Sequence, residues 1–351
     1  MKTKRKLLLS FTTAFLLMQC ASSSPEFSES DWYERTQSAD SALLYAPNVT
    51  ENGTFFNPWM EREHIAVGSW RSRRRGVYEE PSKEKYGSAP NDFSYLSDSA
   101  FDSITFAGHA SMIIKLDGQT VFTDPFFSDA AVVVRKKEII KFDFSQVPDR
   151  PVVLISHNHY DHLDRYSVNQ LAKKDAVFIV PLGLKPLVTR YGANEVHELN
   201  WWQSVTINSV EYTLLPAQHW SRRLWQKSGA TLWGSFMIAG SKTVYFSGDT
   251  GYFIGFREFG KRWDVDYAII GVGAYEPRWF MHYSHLNVEE FFRAANDMKA
   301  KYAIPMHFGI ISLSDEPLLY PLLEIDNALI ENPDLAGSIL PLRVGEFVKI
   351  E

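Results

Sequence analysis

The chain has a single cysteine, Cys20, in 351 residues. That excludes an internal disulfide and, beyond position 20, a thiol nucleophile. Long apolar runs are also missing. The longest, Leu7–Met18, is broken by Ser10, Thr12 and Thr13 and falls short of the ~20 residues a membrane-spanning helix needs. Basic residues are in deficit, 36 against 42 acidic. Without residues 1–19, which carry Lys2, Lys4, Arg5 and Lys6, the balance is 32 against 42, a net charge of −10. An acidic domain argues against a nucleic-acid partner.

What is present is a core. Hydrophobic residues make up 45% of the chain and no tract is of low complexity, which fits a sizeable globular domain. The basic start followed by a short apolar run reads as a signal peptide over residues 1–19. Leu17-Met18-Gln19-Cys20 stands where a bacterial lipoprotein is cleaved and lipidated. The expectation is export from a bacterial cytoplasm and a lipid anchor at Cys20, on a periplasmic or outer-membrane face, with plain secretion as the alternative. Ala21–Pro25 would be the tether, residues 20–54 a tether and N-terminal extension, and residues 55–351 the functional domain.

Residues 26 to about 100 show no clear periodicity, and the basic cluster Arg71–Arg75 reads as a solvated face, with a site for anionic head groups as the alternative. Regular structure is predicted from Ser103 onward. Ser103–Ala107, Ser111–Leu116 and Thr120–Thr123 read as strands, with Asp117-Gly118 closing a hairpin. The segment 126–148 reads as a flap. Val152–Ile155 is a continuous apolar strand, followed by a helix near Val168–Lys173, a strand at Ala176–Val180, a helix at Leu184–Tyr191 and strands at Ser204–Ile207 and Glu211–Leu215. Further strands are expected at Thr231–Ala239, Thr243–Ser247, Val265–Ile270 and Ala303–Met306. Asn287 and Glu290 form a capping box ahead of a helix. After a helix near Leu318–Ile330, strands at Ser338–Leu342 and Glu346–Ile350 end the chain. Two strand-rich halves, each with helices, imply a layered α/β sandwich with a site where the halves meet.

The stretch SHNHYDHL, Ser156–Leu163, follows directly on the apolar strand and holds His157, His159, Asp161 and His162 within six positions. Imidazole and carboxylate are the ligands of zinc and its borderline neighbours. Four ligands exceed the usual three that a single catalytic metal takes from protein, which points to two metals. His219, Asp249 and His307 each follow a predicted strand and complete the candidate set.

These ordered motifs resemble the metallo-β-lactamase fold superfamily, and specifically its N-acyl-phosphatidylethanolamine-hydrolysing phospholipase D branch. The matching stretches are GHAS at 108–111, TDP at 123–125, SHNHYDHLD at 156–164, VPLGLK at 180–185, PAQHWS at 216–221, TLWGSF at 231–236, SGDTGY at 247–252, GAYEPRWFM at 273–281 and MHFG at 306–309. They cover roughly residues 55–351. The resemblance implies an αββα sandwich of two pseudo-repeated halves with the metal site at their junction. It implies one zinc held by His157, His159 and His219, another by Asp161, His162 and His307, and Asp249 bridging them; iron or manganese would suit the same donors. It also implies hydrolysis of N-acylphosphatidylethanolamine to N-acylethanolamine and phosphatidic acid by a hydroxide between the metals, with a phospholipid as partner.

Asp161, Asp249 and His285 are the candidate catalytic residues, His285 through a substrate contact. Asp124 and His109 are candidates for orienting ligands. Trp220, Trp279, Phe280 and Tyr283 are candidates for the substrate pocket. His64, His197 and His282 match no ligand motif and are read as structural. A lactonase or other metal-dependent ester hydrolase is the competing reading, and a non-catalytic lipid- or metal-binding lipoprotein a third. Association into homo-oligomers is left open.

Overall fold

A computed structural model describes residues 27–62, 76–91, 93–97, 101–132 and 134–351. The leader, Cys20, His64 and the Arg71–Arg75 cluster lie outside the described residues. The first half contains β1 (Ser103–Gly108), β2 (Ser111–Leu116), β3 (Gln119–Thr123), the short pair β4 (Ala130–Ala131) and β5 (Val134–Arg135), β6 (Val152–Leu154), β7 (Val177–Pro181) and β8 (Glu195–Leu199). The second contains β9 (Ser204–Ile207), β10 (Val210–Leu215), β11 (Ser235–Ala239), β12 (Thr243–Phe246), β13 (Tyr267–Gly271), β14 (Tyr302–Met306) and β15 (Phe347–Lys349).

Two sheets result, ordered β15-β1-β2-β3-β6-β7-β8 and β14-β13-β12-β11-β10-β9. Each is an antiparallel meander continued by parallel strands. In the first, β1, β2 and β3 alternate and β3, β6, β7 and β8 run parallel. In the second, β9 to β12 alternate and β12, β13 and β14 run parallel. The halves therefore repeat one plan, as the sequence suggested. The last strand breaks the repeat, because β15 returns to pair with β1 of the first sheet.

The main core lies between the sheets, where Ile104, Phe106, Ile114, Leu154, Tyr212, Leu214, Phe236, Phe246 and Ile269 are buried together. A second core fills the outer face of the first sheet, where Val168 and Leu171 of the helix Arg165–Ala172 meet Ile113, Phe122, Val153 and Phe178. On the other outer face, Phe291, Ala294 and Ala295 of the helix Val288–Asp297 pack on the second sheet. The layers are thus α, β, β and α. Strands buried on both faces read as unbroken apolar runs, and β6, β7 and β13 are buried along their whole length.

Local chemistry sets several of these elements. Asp117 and Gly118 both take positive φ, 51° and 75°, the backbone of the tight turn between β2 and β3. Asn287 accepts from the Glu290 backbone and Glu290 returns the bond to the Asn287 N–H. Other expectations are corrected. Residues 231–234 are not strand, because Gly234 donates its N–H to the Ser156 carbonyl instead of to a sheet neighbour. Residues 338–342 make only one bridge, Ile339 to Ala303, rather than a strand. The edge strand β8 and the helix Gly255–Arg262 were not expected.

The extension is laid against the domain from residue 27. Ser28 caps the helix Glu29–Gln37, and Trp32 is buried with its indole N–H donating to Glu290 at 3.1 Å. Phe27 and Trp32 enclose the His282 ring. Arg278 joins Glu29, at 2.7 Å, to Glu290, at 2.9 Å.

Candidate metal centre

Every predicted ligand sits just past the C-terminal end of a strand: 157–162 after β6, His219 after β10, Asp249 after β12 and His307 after β14. The two halves are stitched together at this point. His307 donates its N–H to the His109 carbonyl at 2.8 Å, His109 to the Phe308 carbonyl at 3.3 Å, and Gly234 to the Ser156 carbonyl at 2.9 Å. Gly248 is required by the same approach: a Cβ there would stand 2.5 Å from that of Ser156, and its φ is +55°. His109, Asp124 and His307 also hold positive φ, 56°, 36° and 73°. Such backbone is uncommon for side-chain-bearing residues and collects at functional sites.

Two clusters form. In the first, His157 Nε2 and His159 Nδ1 are 2.8 Å apart, and His219 Nε2 is 3.3 Å from His159 Nδ1. Asp249 Oδ2 lies 3.8 Å from His157 Nε2 and 3.7 Å from His219 Nε2. In the second, His162 Nε2 is 3.4 Å from Asp161 Oδ2 and 3.1 Å from Asp249 Oδ2, while His307 Nε2 is 2.9 Å from Asp249 Oδ1. His109 joins this group, with Nε2 at 2.8 Å from Asp161 Oδ2. Asp249 faces both clusters.

Neighbouring ligands on a tetrahedral zinc, each at about 2.0–2.1 Å, stand about 3.3 Å apart. The observed separations bracket that value. The Nε2 atoms of His162 and His307 and Oδ1 of Asp249 are buried with no well-formed hydrogen bond among the described residues. Buried polar atoms without partners are costly, and a shared cation satisfies all three.

Protonation fits the same purpose. Burial, aided by neighbouring histidines, pulls His157 and His219 well below the usual imidazole range, and burial takes His159 to about 4. Neutral imidazole is the form that offers a lone pair to a metal. Burial would raise Asp161 and Asp249, but His162 and the other histidines reverse this and keep both carboxylates ionised. His162 runs the other way. Burial disfavours its charge, yet Asp249, Asp161 and Asp124 together draw it well above the usual range. That spot demands positive charge.

The outward nitrogens are fixed by the protein. His162 Nδ1 faces Asp124 Oδ2 at 2.7 Å, and Asp124 in turn accepts from the Ser156 backbone at 2.7 Å and the Ser156 hydroxyl at 2.5 Å. His157 Nδ1 meets the Ser156 hydroxyl at 2.9 Å, and His219 Nδ1 the Ser284 carbonyl at 3.3 Å. Such contacts fix tautomer and ring orientation in metal sites.

His285 lies within reach of Asp249 and His307, its ring 5.5 Å from His219 and 5.4 Å from His307. Burial lowers it to about 3, so it is a neutral ring at working pH. Trp220 stands 4.5 Å from the His159 ring. Trp279 and Phe280 pack edge to face at 5.7 Å, and no ring contact joins Trp279 to the histidines among the described residues. The Tyr283 hydroxyl donates to the Met60 carbonyl at 3.1 Å and accepts from Asn57 at 2.8 Å. That polar group ties Tyr283 to Asn57 and Met60. His197 is a partly exposed residue beside Glu195.

Other contributors were not visible in the sequence. Asn57 also donates to the His219 carbonyl, and Gln218 ties the Trp59 indole to the Tyr252 and Tyr283 carbonyls. The buried Arg223 bonds to the carbonyls of Asn158 and Leu163 and to the Tyr191 hydroxyl.

A profile of the Beta-lactamase superfamily domain matches residues 119–308. Fold, match and donor set define a metal-dependent hydrolase of the metallo-β-lactamase superfamily. The chain belongs to the N-acyl-phosphatidylethanolamine-hydrolysing phospholipase D branch of that family. It is 33% identical over 233 residues to the mitochondrial N-acyl-phosphatidylethanolamine-hydrolyzing phospholipase D of Saccharomyces cerevisiae, covering 62% of this chain and 49% of that one. It is 32% identical over 264 residues to N-acyl-phosphatidylethanolamine-hydrolyzing phospholipase D 1 of Caenorhabditis elegans, covering 69% and 74%. The match thus spans about half the length of the yeast relative. Among solved structures, a metallo hydrolase from Ignicoccus hospitalis aligns with a TM-score of 0.56 at 20% identity, over 72% of this chain and 99% of that one. A possible metal-dependent hydrolase from Veillonella parvula aligns with a TM-score of 0.58 at 16% identity, over 72% and 100%. These two share the fold.

Proposed function

We propose that this centre is a two-metal phosphodiesterase site that hydrolyses N-acylphosphatidylethanolamine to N-acylethanolamine and phosphatidic acid. The observation that carries the reading is Asp249, with Oδ1 toward His307 and Oδ2 toward His157, His162 and His219. The names of the yeast and nematode relatives support the substrate.

His157, His159 and His219 would hold one cation, Asp161, His162 and His307 the other, with Asp249 shared; the donors suit zinc, and also iron or manganese. Bound there, two cations lower the pKa of water and offset charge developing on phosphorus. The protein's own part is positional. Asp124 and Ser156 hold His162 and His157, while Asn57 and Ser284 hold the His219 loop. His109 fixes Asp161. His285, neutral and beside the shared carboxylate, presents a hydrogen-bonding ring to the substrate.

The test is mass-spectrometric detection of both products from N-acylphosphatidylethanolamine, with and without a chelator. Chelator-sensitive release of both supports the reading. No release from protein carrying two metals per chain overturns it in favour of a lactone or another ester.

The leader and Cys20 support export and a lipid anchor that would keep the domain at a membrane holding its substrate. Intact-mass measurement of the mature protein tests this, and an unmodified N-terminus removes the anchor.

A further inference from the structure

Three arginines are drawn into this face of the domain, and two are fully engaged. Arg278 is held between Glu29 and Glu290, and Arg223 by two backbone carbonyls and the Tyr191 hydroxyl. The third, Arg62, is different. Its guanidinium carbon sits 3.9 Å from the centre of the Trp220 ring. Among the described residues no carboxylate pairs with it and no acceptor bonds to it. The ionisable groups near it are the neutral Tyr283 hydroxyl and a second cation, Arg222.

Its position is close to the metal ligands. Trp220 carries Arg62 on one side and stands 4.5 Å from the His159 ring and 6.2 Å from the His219 ring. The charge on Arg62 is felt at His159. The guanidinium of Arg62 has a like-charged neighbour in Arg222. Burial draws it down to about 10, which still leaves it charged at neutral pH. A guanidinium presents a rigid fork of N–H donors that matches the paired oxygens of phosphate.

We propose that Arg62, laid on Trp220, is an anion-binding residue of this site that receives a phosphate oxygen of the substrate. Identification of the anion as a phosphodiester rests on the function proposed above. The anion site itself rests on the guanidinium over Trp220, which has no acceptor among the described residues. In this arrangement Arg62 neither supplies nor takes a proton. It selects for a charged ester over a neutral one and sets the affinity for the phosphate group.

The test uses the full chain loaded with zinc, comparing wild type with Arg62→Met and Arg62→Lys. Inorganic phosphate is titrated calorimetrically into each, with metal content and melting temperature measured in parallel. We expect phosphate to bind at least tenfold more weakly to Arg62→Met, with a smaller loss in Arg62→Lys. We also expect KM for a phosphodiester to rise in Arg62→Met while KM for a neutral ester does not. Equal phosphate affinity in wild type and Arg62→Met overturns the proposal. If Arg62→Met loses metal or fold, Arg62→Lys decides, and unaltered phosphate affinity and KM there overturn the need for a guanidinium fork. Wild type that binds phosphate through Arg62 yet hydrolyses no phosphodiester would leave the anion site standing and remove the substrate reading. Wild type that hydrolyses phosphodiesters with phosphate affinity indifferent to Arg62 would do the reverse.

Discussion

Arg223 donates from Nε to the carbonyl oxygen of Asn158 at 2.5 Å, across 65 residues of sequence. A second donor of the same guanidinium reaches the Leu163 carbonyl, so one side chain grips both ends of the metal loop. The Tyr160 ring lies under it, 4.1 Å from the guanidinium carbon. Hydrogen bonds from a charged group contribute about 1.5–3 kcal/mol each. Arg223→Ala is expected to lower stability by about 3 kcal/mol or more and to reduce metal content, read by denaturant titration and elemental analysis. A variant with wild-type metal content would show that the loop keeps its shape unaided.

Asp124 acts on the metal site through His162. Asp124→Asn preserves volume but removes the charge facing Nδ1 at 2.7 Å. Loss of such a partner typically weakens metal binding by about 10–100-fold. Competition against a chromophoric chelator measures this directly, and affinity equal to wild type would dismiss the role.

Chelation should destabilise the fold as well as stop turnover, because the ligands come from both halves. A ligand present at a hundred times its Kd stabilises the folded state by about 2.7 kcal/mol. Scanning calorimetry before and after chelator treatment should show a lower melting temperature that added zinc restores. An unchanged melting temperature would mean that the halves dock without the metals.

Glu276 supplies a pH signature of its own. Burial, with help from neighbouring Glu316, raises it from 4.5 to about 7. The folded protein therefore keeps this proton where the unfolded chain has lost it. The stabilisation is complete below about pH 4.5 and is lost as the pH rises through about 7. Glu276→Gln should flatten that decline, matching wild type at low pH and exceeding it above pH 7 in melting temperature. Parallel pH profiles for the two proteins would refute the assignment.

Local chemistry explains what could be read in advance. The Asp117-Gly118 turn and the Asn287–Glu290 box are set by residues a few positions apart, and both stand as expected. β8 was hidden because an edge strand needs apolar packing on only part of its surface, and Glu195, His197 and Glu198 are all partly exposed. The helix Glu29–Gln37 owes its place to Trp32 and Glu29 meeting Glu290 and Arg278 some 250 residues on, a contact no local pattern announces.

By itself the sequence determined the candidate donors, since HNHYDH and the strand-end residues His219, Asp249 and His307 carry their chemistry in their identities. Residue types and their spacing also implied two sheets with a site at the junction. Only the tertiary structure decided which donors gather together, that Asp249 faces both clusters, and that His109 meets Asp161. It alone placed Arg223 across the loop and set Arg62 beside Trp220 with no acceptor among the described residues. The reason is physical: ligand identity belongs to single residues, whereas a shared carboxylate, a clamp or an unpaired charge is a relation between distant segments that exists only once the core has brought them together.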